Sequence, residues 1–231
     1  MIIIKIVKIN NFFKNLKMEL QIIIGPMFSG KTTELMRRLR RYQIAGKKVL
    51  VINHSEDIRY TNDNYIVTHD EIEFPAIKTK ELLNIDISNY DIIGIDEAQF
   101  FPNLVEFYEL QICNYESQYL EFKSKCLEYK TMIECLSKCK YIYYNNEFPK
   151  EPKDKIFIIS GLDGDFKKHK FGQILDLIPY SNKVIKLNAV CVKCGKDAPF
   201  SYRILEENEI KLIGTSDKYE ARCFKCFKYN F

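Results

Sequence analysis

The chain lacks the features that mark exported and membrane proteins. Its 231 residues contain no apolar run long enough to cross a bilayer, and the apolar start of residues 1–17 is interrupted by lysines. That segment also lacks a small-residue cleavage site, and it is poor in the arginine and serine of a transit peptide. We therefore expect a cytoplasmic protein with no membrane partner. Residues 1–17 are interpreted as a disordered extension or as the result of an upstream start codon.

A large excess of either charge is also missing. The 35 basic and 31 acidic side chains leave a net charge of +4, so charge alone gives no reason to expect a nucleic-acid partner. No internal repeat or low-complexity linker interrupts the chain. A hydrophobic content of 46% and this length fit one α/β domain with a small appendage.

Eight cysteines in a chain without export signals should be reduced thiols, so their spacing is better interpreted as metal chemistry than as disulfides. Two C-x-x-C pairs stand 28 residues apart, and four thiolates in such pairs close a tetrahedral structural zinc site with no open position. The predicted ligands are Cys191, Cys194, Cys223 and Cys226. The remaining cysteines, at 113, 126, 135 and 139, are expected to be small apolar fillers.

The pattern G-x-x-x-x-G-K-[ST] occupies residues 25–32, directly after the apolar run of residues 22–24. In such a loop, successive backbone N–H groups cradle phosphate oxygens, Lys31 reaches the β and γ phosphates, and Thr32 offers its hydroxyl to magnesium. The sequence therefore predicts a nucleoside triphosphate site. Its residues are Gly25, Pro26, Met27, Phe28, Ser29, Gly30, Lys31 and Thr32.

Strands alternate with helices along most of the chain. Apolar strands are predicted at residues 19–24, 48–53, 91–96, 155–160 and 183–187, with a helix at 31–45 and a short hairpin near 65–74. This order predicts an α/β fold: a P-loop (RecA-like), doubly wound, mostly parallel sheet whose ligands lie at the carboxyl ends of the strands.

Two successive carboxylates, Asp96 and Glu97, follow the third apolar strand. Asp96 stands where P-loop enzymes hold magnesium, and a second acid beside it indicates a separate task, such as deprotonating an attacking hydroxyl. A similar Asp-Glu pair activates water in DEAD-type helicases, so the pair alone fits a kinase or an ATPase. Phe100 and the next phenylalanine are interpreted as core residues or as a stacking wall for a base.

Neither glycine nor proline occurs between Pro102 and Pro149, and apolar side chains recur there with a 3.5-residue period. One helix over residues 103–139 would be about 55 Å long, which exceeds the width of a compact domain of this size. We expect a helical insertion that packs on its own domain or a neighbouring subunit; a partner-binding arm is the alternative.

Taken in their order along the chain, these motifs resemble those of the type II thymidine kinase family, which occurs in animals, many bacteria and large DNA viruses. The resemblance covers roughly residues 20–110 and 156–226. Its most specific motifs are the phosphate loop continued to Leu35, the segment 96–101, Lys170-Phe171-Gly172, residues 187–191 and Asp217-Lys218-Tyr219.

The resemblance implies ATP-dependent phosphorylation of thymidine, with Mg2+ bound alongside ATP and a structural Zn2+. Glu97 would be the catalytic base, Thr32 and Asp96 would bind magnesium, and Gln99, Asp57 and Arg59 would belong to the phosphate site. A loop between the cysteine pairs, the lasso, would close over the nucleoside. The implied nucleoside contacts are Met27, Phe100, Leu162, Phe166, Phe171, Asn188, Ile213, Gly214, Thr215 and Tyr219.

Three parts are therefore expected: residues 1–17; a kinase domain at 18–187 with an insertion at about 113–152; and a zinc-binding lasso domain at 188–231. The family commonly has threonine at the position of Asn188, which leaves open the choice among thymidine, deoxyuridine and deoxycytidine. Family members are typically homotetramers. A nucleic-acid-stimulated ATPase with a zinc ribbon and an inactive nucleotide-binding regulator are the competing hypotheses.

Overall fold

The computed structural model describes residues 18–57, 65–67, 73–136, 153–204 and 216–228. The chain divides into two compact units. One comprises Glu19–Phe107 and Lys155–Phe231, and it contains the central sheet and all of the site residues discussed below. The other comprises Met1–Met18 and Tyr108–Asp154.

Six strands form the central sheet, in the order β5-β2-β6-β7-β1-β8. The strands β5, β2, β6 and β7 pair in parallel, and so do β1 and β8. This confirms the expected mostly parallel α/β sheet. The strand bounds are β1, Met18–Ile24; β2, Val49–His54; β5, Ile77–Thr79; β6, Ile92–Asp96; β7, Lys155–Gly161; and β8, Lys183–Lys186.

Helix α1, Lys31–Ile44, crosses from β1 to β2 and packs its apolar face on the sheet. Leu35 and Leu39 are fully buried on that face. Leu39 lies directly over Gly94 in β6, where a β-carbon would come within 2.7 Å of Leu39 Cδ1. The glycine therefore lets the helix lie close to the sheet.

A two-stranded hairpin, β3 (Tyr65–Val67) with β4 (Glu73–Pro75), is antiparallel and lies where the sequence predicted it. The edge strand β5 was not predicted. It has only three residues, Ile77–Thr79, of which the middle one is a lysine, so no apolar run marks it. Its place follows from backbone pairing with β2 rather than from burial.

The segment that follows β8 forms short strands and one short helix. Strands β9 (Ala189–Val190) and β10 (Asp197–Ala198) pair antiparallel, as do β11 (Phe200–Arg203) and β12 (Tyr219–Arg222). Helix α3, Phe224–Lys228, ends the described chain. Among the described residues, this segment has a small apolar core of its own, made of Ala189, Cys191, Ala198, Ala221, Cys223 and Cys226. We call these six residues the Ala/Cys core.

Helix α2 runs from Leu104 to Leu136, within the predicted range of 103–139. Its 33 residues give a length of about 50 Å at 1.5 Å per residue. Gln173 Oε1 accepts a hydrogen bond from the Val105 backbone N–H, 3.0 Å away, in the first turn. In the described ranges, no helix is both long and apolar enough to span a membrane. The remainder of the predicted insertion lies outside the described residues.

Replacing Gly94 by alanine should destabilise the protein by about 1–3 kcal/mol, because the new methyl group would overlap Leu39 and push helix α1 from the sheet. Urea unfolding measures this change. The control is Gly46→Ala, where in the described structure a methyl group meets no heavy atom within 4 Å and only the φ of 75° is unfavourable. An equal loss in both variants would contradict the packing argument.

Candidate active site and metal centre

The phosphate loop joins β1 to helix α1 in a conformation that its sequence requires. A β-carbon on Gly25 would lie 2.5 Å from the carbonyl oxygen of Leu187, so only glycine fits there. Gly30 has a φ of 77°, a value that glycine adopts without strain, at the point where the helix begins. Lys31 is buried, and its Nζ donates a hydrogen bond to the Pro26 carbonyl oxygen at 2.7 Å.

Asp96 ends strand β6 and is buried beside the start of helix α1. The Thr32 hydroxyl donates to Asp96 Oδ2 at 2.9 Å, and the Ser160 hydroxyl, from strand β7, donates to Oδ1. The structure thus brings together the two residues that were predicted to bind magnesium. Their oxygens are the hard ligands that Mg2+ prefers.

Negative charge is concentrated around Asp96. Burial and the neighbouring carboxylate of Glu97 raise the pKa of Asp96 to about 6, and hydrogen bonds from Ser160 and Thr32 offset part of this rise. The charge of Asp57 adds to this rise in pKa, so the Asp57 carboxylate is near enough to repel the carboxylate of Asp96. Asp57 Oδ2 accepts a hydrogen bond from Asn53 Nδ2 at 3.0 Å. A divalent cation would relieve this repulsion.

Glu97 follows Asp96 in a left-handed backbone conformation, with a φ of 50°. This turn starts the short 3-10 helix Ala98–Phe100, and the Glu97 side chain is buried. The Gln99 side-chain amide donates to Glu97 Oε2 at 2.6 Å, and its carbonyl oxygen accepts from the Leu162 backbone N–H at 2.9 Å. Gln99 therefore connects the Glu97 carboxylate to the loop after β7.

Two glycines leave the space that Gln99 occupies. A β-carbon on Gly161 would lie 2.6 Å from Gln99 Oε1, and one on Gly172 would lie 2.2 Å from the Gln99 carbonyl oxygen. Gly172 also has a φ of 64°. Any side chain at position 172 would therefore displace the turn that carries Glu97 and Gln99.

The predicted nucleoside contacts fall into two groups of rings. Phe100 and Phe171 meet edge to face, with centroids 5.7 Å apart. Phe166 stacks with Arg203, whose guanidinium carbon is 3.8 Å from the ring centre, and Arg203 Nη2 donates to the Tyr219 hydroxyl at 2.6 Å.

The structure places the remaining predicted site residues in different surroundings. Leu162 is half-buried and holds Gln99, as described above, whereas Asn188 is exposed before β9. The backbone N–H of Met27 donates to Ser201 Oγ at 2.9 Å, so Met27 faces β11. Arg59, Ile213, Gly214 and Thr215 lie outside the described residues.

Sequence reasoning missed three residues of the site: Ser160, Ser201 and Arg203. Ser160 could have been found, because a serine at the carboxyl end of an apolar strand is well placed to contact a ligand or a carboxylate at the end of the neighbouring strand. Ser201 and Arg203 lie on a four-residue strand with no clear apolar alternation, so only the fold shows their neighbours.

The four paired cysteines converge as their spacing predicts. Their Sγ atoms all lie within 4.8 Å of one another, and those of Cys194 and Cys223 are 3.6 Å apart. A tetrahedron with Zn–S bonds of about 2.3 Å has edges of about 3.8 Å, so the cluster is compatible with a zinc site. All four thiols could therefore bind one metal ion.

Thiolate character is distributed unevenly over this cluster. Burial acts to raise the pKa of Cys191, but hydrogen bonds from the backbone N–H groups of Cys223, Lys193 and Cys194 outweigh it and lower the pKa to about 6. Burial and the neighbouring thiols raise the pKa of Cys226 to about 12. Backbone hydrogen bonds thus favour the thiolate form of Cys191, whereas Cys226 would need a nearby cation to become a thiolate.

A phosphate loop joined to a buried Asp-Glu pair at the carboxyl edge of a parallel sheet defines a P-loop nucleotide-binding enzyme. Comparison with known proteins narrows this class. The thymidine kinase family model matches residues 18–121 and 142–227, and the gap between these ranges begins within helix α2.

Poxvirus thymidine kinases are similar to this chain over most of its length. The raccoon poxvirus and vaccinia virus (Western Reserve) proteins are each 41% identical over 210 residues, which is 90% of this chain and 96% of theirs. The sheeppox virus (KS-1) protein is 43% identical over the same shares. The chain belongs to the thymidine kinase family, as its motifs predicted, and is a kinase.

Replacing Asp96 by asparagine should stabilise the magnesium-free protein although it removes a site residue. Since the folded state raises the pKa of Asp96 to about 6, ionisation of this carboxyl costs stability above that pH, and the cost fades as the pH falls towards 4. We expect a gain of about 2–3 kcal/mol at pH 7.5 that shrinks to about 1 kcal/mol at pH 4.5. Urea unfolding without added magnesium measures both, and a loss at pH 7.5 would contradict the prediction.

Proposed function

We propose that this enzyme transfers the γ-phosphate of ATP to the 5′-hydroxyl of thymidine, producing dTMP as a precursor for DNA synthesis. The observation that carries the proposal is the hydrogen bond between Thr32 of the phosphate loop and Asp96, which is followed directly by the buried Glu97. This joins a triphosphate site to a potential base. The similar poxvirus proteins are thymidine kinases, which supports the choice of thymidine as the substrate.

On the phosphate side, the loop N–H groups and Lys31 would hold the triphosphate. Lys31 Nζ now binds the Pro26 carbonyl oxygen, so it would exchange that partner for phosphate oxygens when ATP arrives. Thr32 and Asp96 would hold Mg2+, with Asp57 adding negative charge nearby. When bound, this ion neutralises charge that develops on the transferred phosphoryl group.

On the nucleoside side, Glu97 would accept the proton of the attacking 5′-hydroxyl. Gln99 fixes one of the Glu97 carboxylate oxygens, so the base is held before the substrate binds. This role differs from the phosphate contact that was expected of Gln99: its side chain connects Glu97 to Leu162.

The thymine ring of the nucleoside would lie among the aromatic side chains of Phe100, Phe171, Phe166 and Tyr219. These flat apolar rings would exclude water from the reacting phosphate, and hydrogen bonds to the edge of the pyrimidine would select thymine. The proposed nucleoside contacts at Ile213, Gly214 and Thr215 belong to the lasso. Asn188 is exposed, and its contact with the thymine methyl group stays a prediction.

We further propose that the cysteine cluster binds one structural Zn2+. Four thiol ligands leave no open coordination position, so the ion would hold the C-terminal segment together rather than take part in the reaction. The small size of the Ala/Cys core makes such a metal a large part of this segment's stability. Four expectations stay predictions: a cytoplasmic location, a homotetramer, the absence of a nucleic-acid partner and the division into three domains.

The proposed reaction predicts that the protein with ATP, magnesium and radiolabelled thymidine yields dTMP. Glu97→Gln should lower kcat by about 10²- to 10⁴-fold, because the base is lost, while ATP binding is retained. The control is Glu106→Gln, which changes an exposed glutamate in the first turn of helix α2. Deoxyuridine and deoxycytidine in the same assay define the preferred nucleoside. ATP turnover that requires DNA or RNA instead would overturn the proposal.

The zinc proposal predicts one zinc per chain by elemental analysis. Cys191→Ser should lose the metal and unfold at a lower temperature, because three ligands hold the ion more weakly. The matched control is Cys113→Ser, which changes an exposed cysteine of helix α2 outside the cluster. A zinc content near zero in the unmodified protein, or full retention in Cys191→Ser, is the contrary outcome.

A further inference from the structure

Phe28, in the middle of the phosphate loop, adopts a backbone conformation that favours glycine. Its φ is 63°, a region where the β-carbon of an L-residue is crowded. A non-glycine residue persists there only when its surroundings hold it in place. The directions of the neighbouring backbone N–H groups depend on that conformation, so what holds Phe28 also shapes the phosphate cradle.

The half-buried side chain of Phe28 packs against the Ala/Cys core. Every member of that core is an alanine or a cysteine, and three of the six are proposed metal ligands. Small side chains alone fill little volume, so a phenylalanine ring contributed by the phosphate loop completes the packing. The surface against which Phe28 packs therefore depends on the cysteine cluster keeping its shape.

Two backbone contacts connect the same loop to the same C-terminal segment. The Met27 N–H donates to Ser201 Oγ, and Ser201 pairs across the β11–β12 ladder with Ala221, a member of the Ala/Cys core. Just before the loop, the Ile24 carbonyl oxygen accepts a hydrogen bond from the Leu187 N–H at 2.8 Å. The loop is thus held at three points by residues that lie on, or lead into, the cysteine-rich segment.

We infer that Phe28 is a positioning residue that couples the metal-bound cysteine cluster to the phosphate loop and holds the loop in its triphosphate-binding form. The inference depends on the proposed ATP site and assigns the cysteine cluster a second task besides anchoring the lasso. The coupling acts in both directions, because any effect of the cluster on ATP affinity implies an equal effect of ATP on metal affinity.

The test compares Phe28→Ala and Phe28→Leu with a control, Phe227→Ala, all in the zinc-loaded protein. Phe227 is also a half-buried ring of the C-terminal segment, and it packs on Phe200 and Tyr202, at centroid distances of 5.6 and 5.3 Å. Both alanine variants remove one half-buried ring that packs on the C-terminal segment, but only Phe28→Ala changes the phosphate loop.

Phe28→Ala should weaken ATP binding about tenfold in calorimetry while the zinc content stays at that of the unmodified protein. Phe28→Leu should recover most of the affinity, since leucine fills much of the same volume, and Phe227→Ala should stay within about twofold of the unmodified protein. In steady-state assays, Phe28→Ala should raise the KM for ATP and leave the KM for thymidine nearly unchanged.

The reciprocal arm measures how much zinc passes to a competing chromogenic chelator at equilibrium. ATP should reduce this amount in the unmodified protein and in Phe227→Ala, but not in Phe28→Ala. If Phe28→Ala fails to fold, Ser201→Ala takes its place, because it removes the acceptor of the Met27 N–H. It should weaken ATP binding by a few fold with zinc retained.

Unchanged ATP affinity in folded Phe28→Ala, or in Ser201→Ala where Phe28→Ala does not fold, would overturn the inference and leave the proposed function standing. An equal loss in Phe227→Ala would also overturn it, because the effect would then come from general damage to the segment. Failure of the unmodified protein to bind ATP would instead remove the proposed function, and with it the inference.

Discussion

The site depends on three carboxylates confined to one partly buried region. Asp96 is buried between the Thr32 and Ser160 hydroxyls, Glu97 follows it in the chain, and Asp57 adds charge from the loop after β2. Burial and their mutual repulsion raise the pKa of Asp96 and disfavour the ionised form of this carboxyl. Hydrogen bonds from the Thr32 and Ser160 hydroxyls offset part of that repulsion, and a divalent cation would convert it into binding energy.

Much of this could be predicted from the sequence, for physical reasons that differ by element. The phosphate loop and the Asp96-Glu97 pair are short local patterns at the ends of apolar strands, and parallel strands bring such ends to one edge. The paired cysteines were equally clear, because thiolate spacing limits where a metal ion can bind. Each of these predictions needed only local sequence and the topology of a parallel sheet.

Contacts between distant segments could not be predicted in this way. Ser201 and Arg203 lie on a short strand whose partner, β12, is reached only after 15 intervening residues, and nothing in their own neighbourhood indicates the phosphate loop or Phe166. Edge strand β5 was missed because its backbone pairing, not an apolar run, defines it. Gln99 was assigned to the phosphates by resemblance, and local sequence gave no sign of the hydrogen bond from its side chain to Glu97.

The contact between Gly172 and the Gln99 backbone has a consequence for how such an enzyme can change over time. Phe171, a proposed wall of the nucleoside site, is the neighbour of this glycine, and Gln99 is the support of the proposed base. A mutation that reshapes the wall to admit a different nucleoside would therefore also disturb proton transfer. Changes in substrate range and in turnover are therefore coupled at the contact between Gly172 and Gln99. Broader specificity should arise first at positions that do not touch this contact.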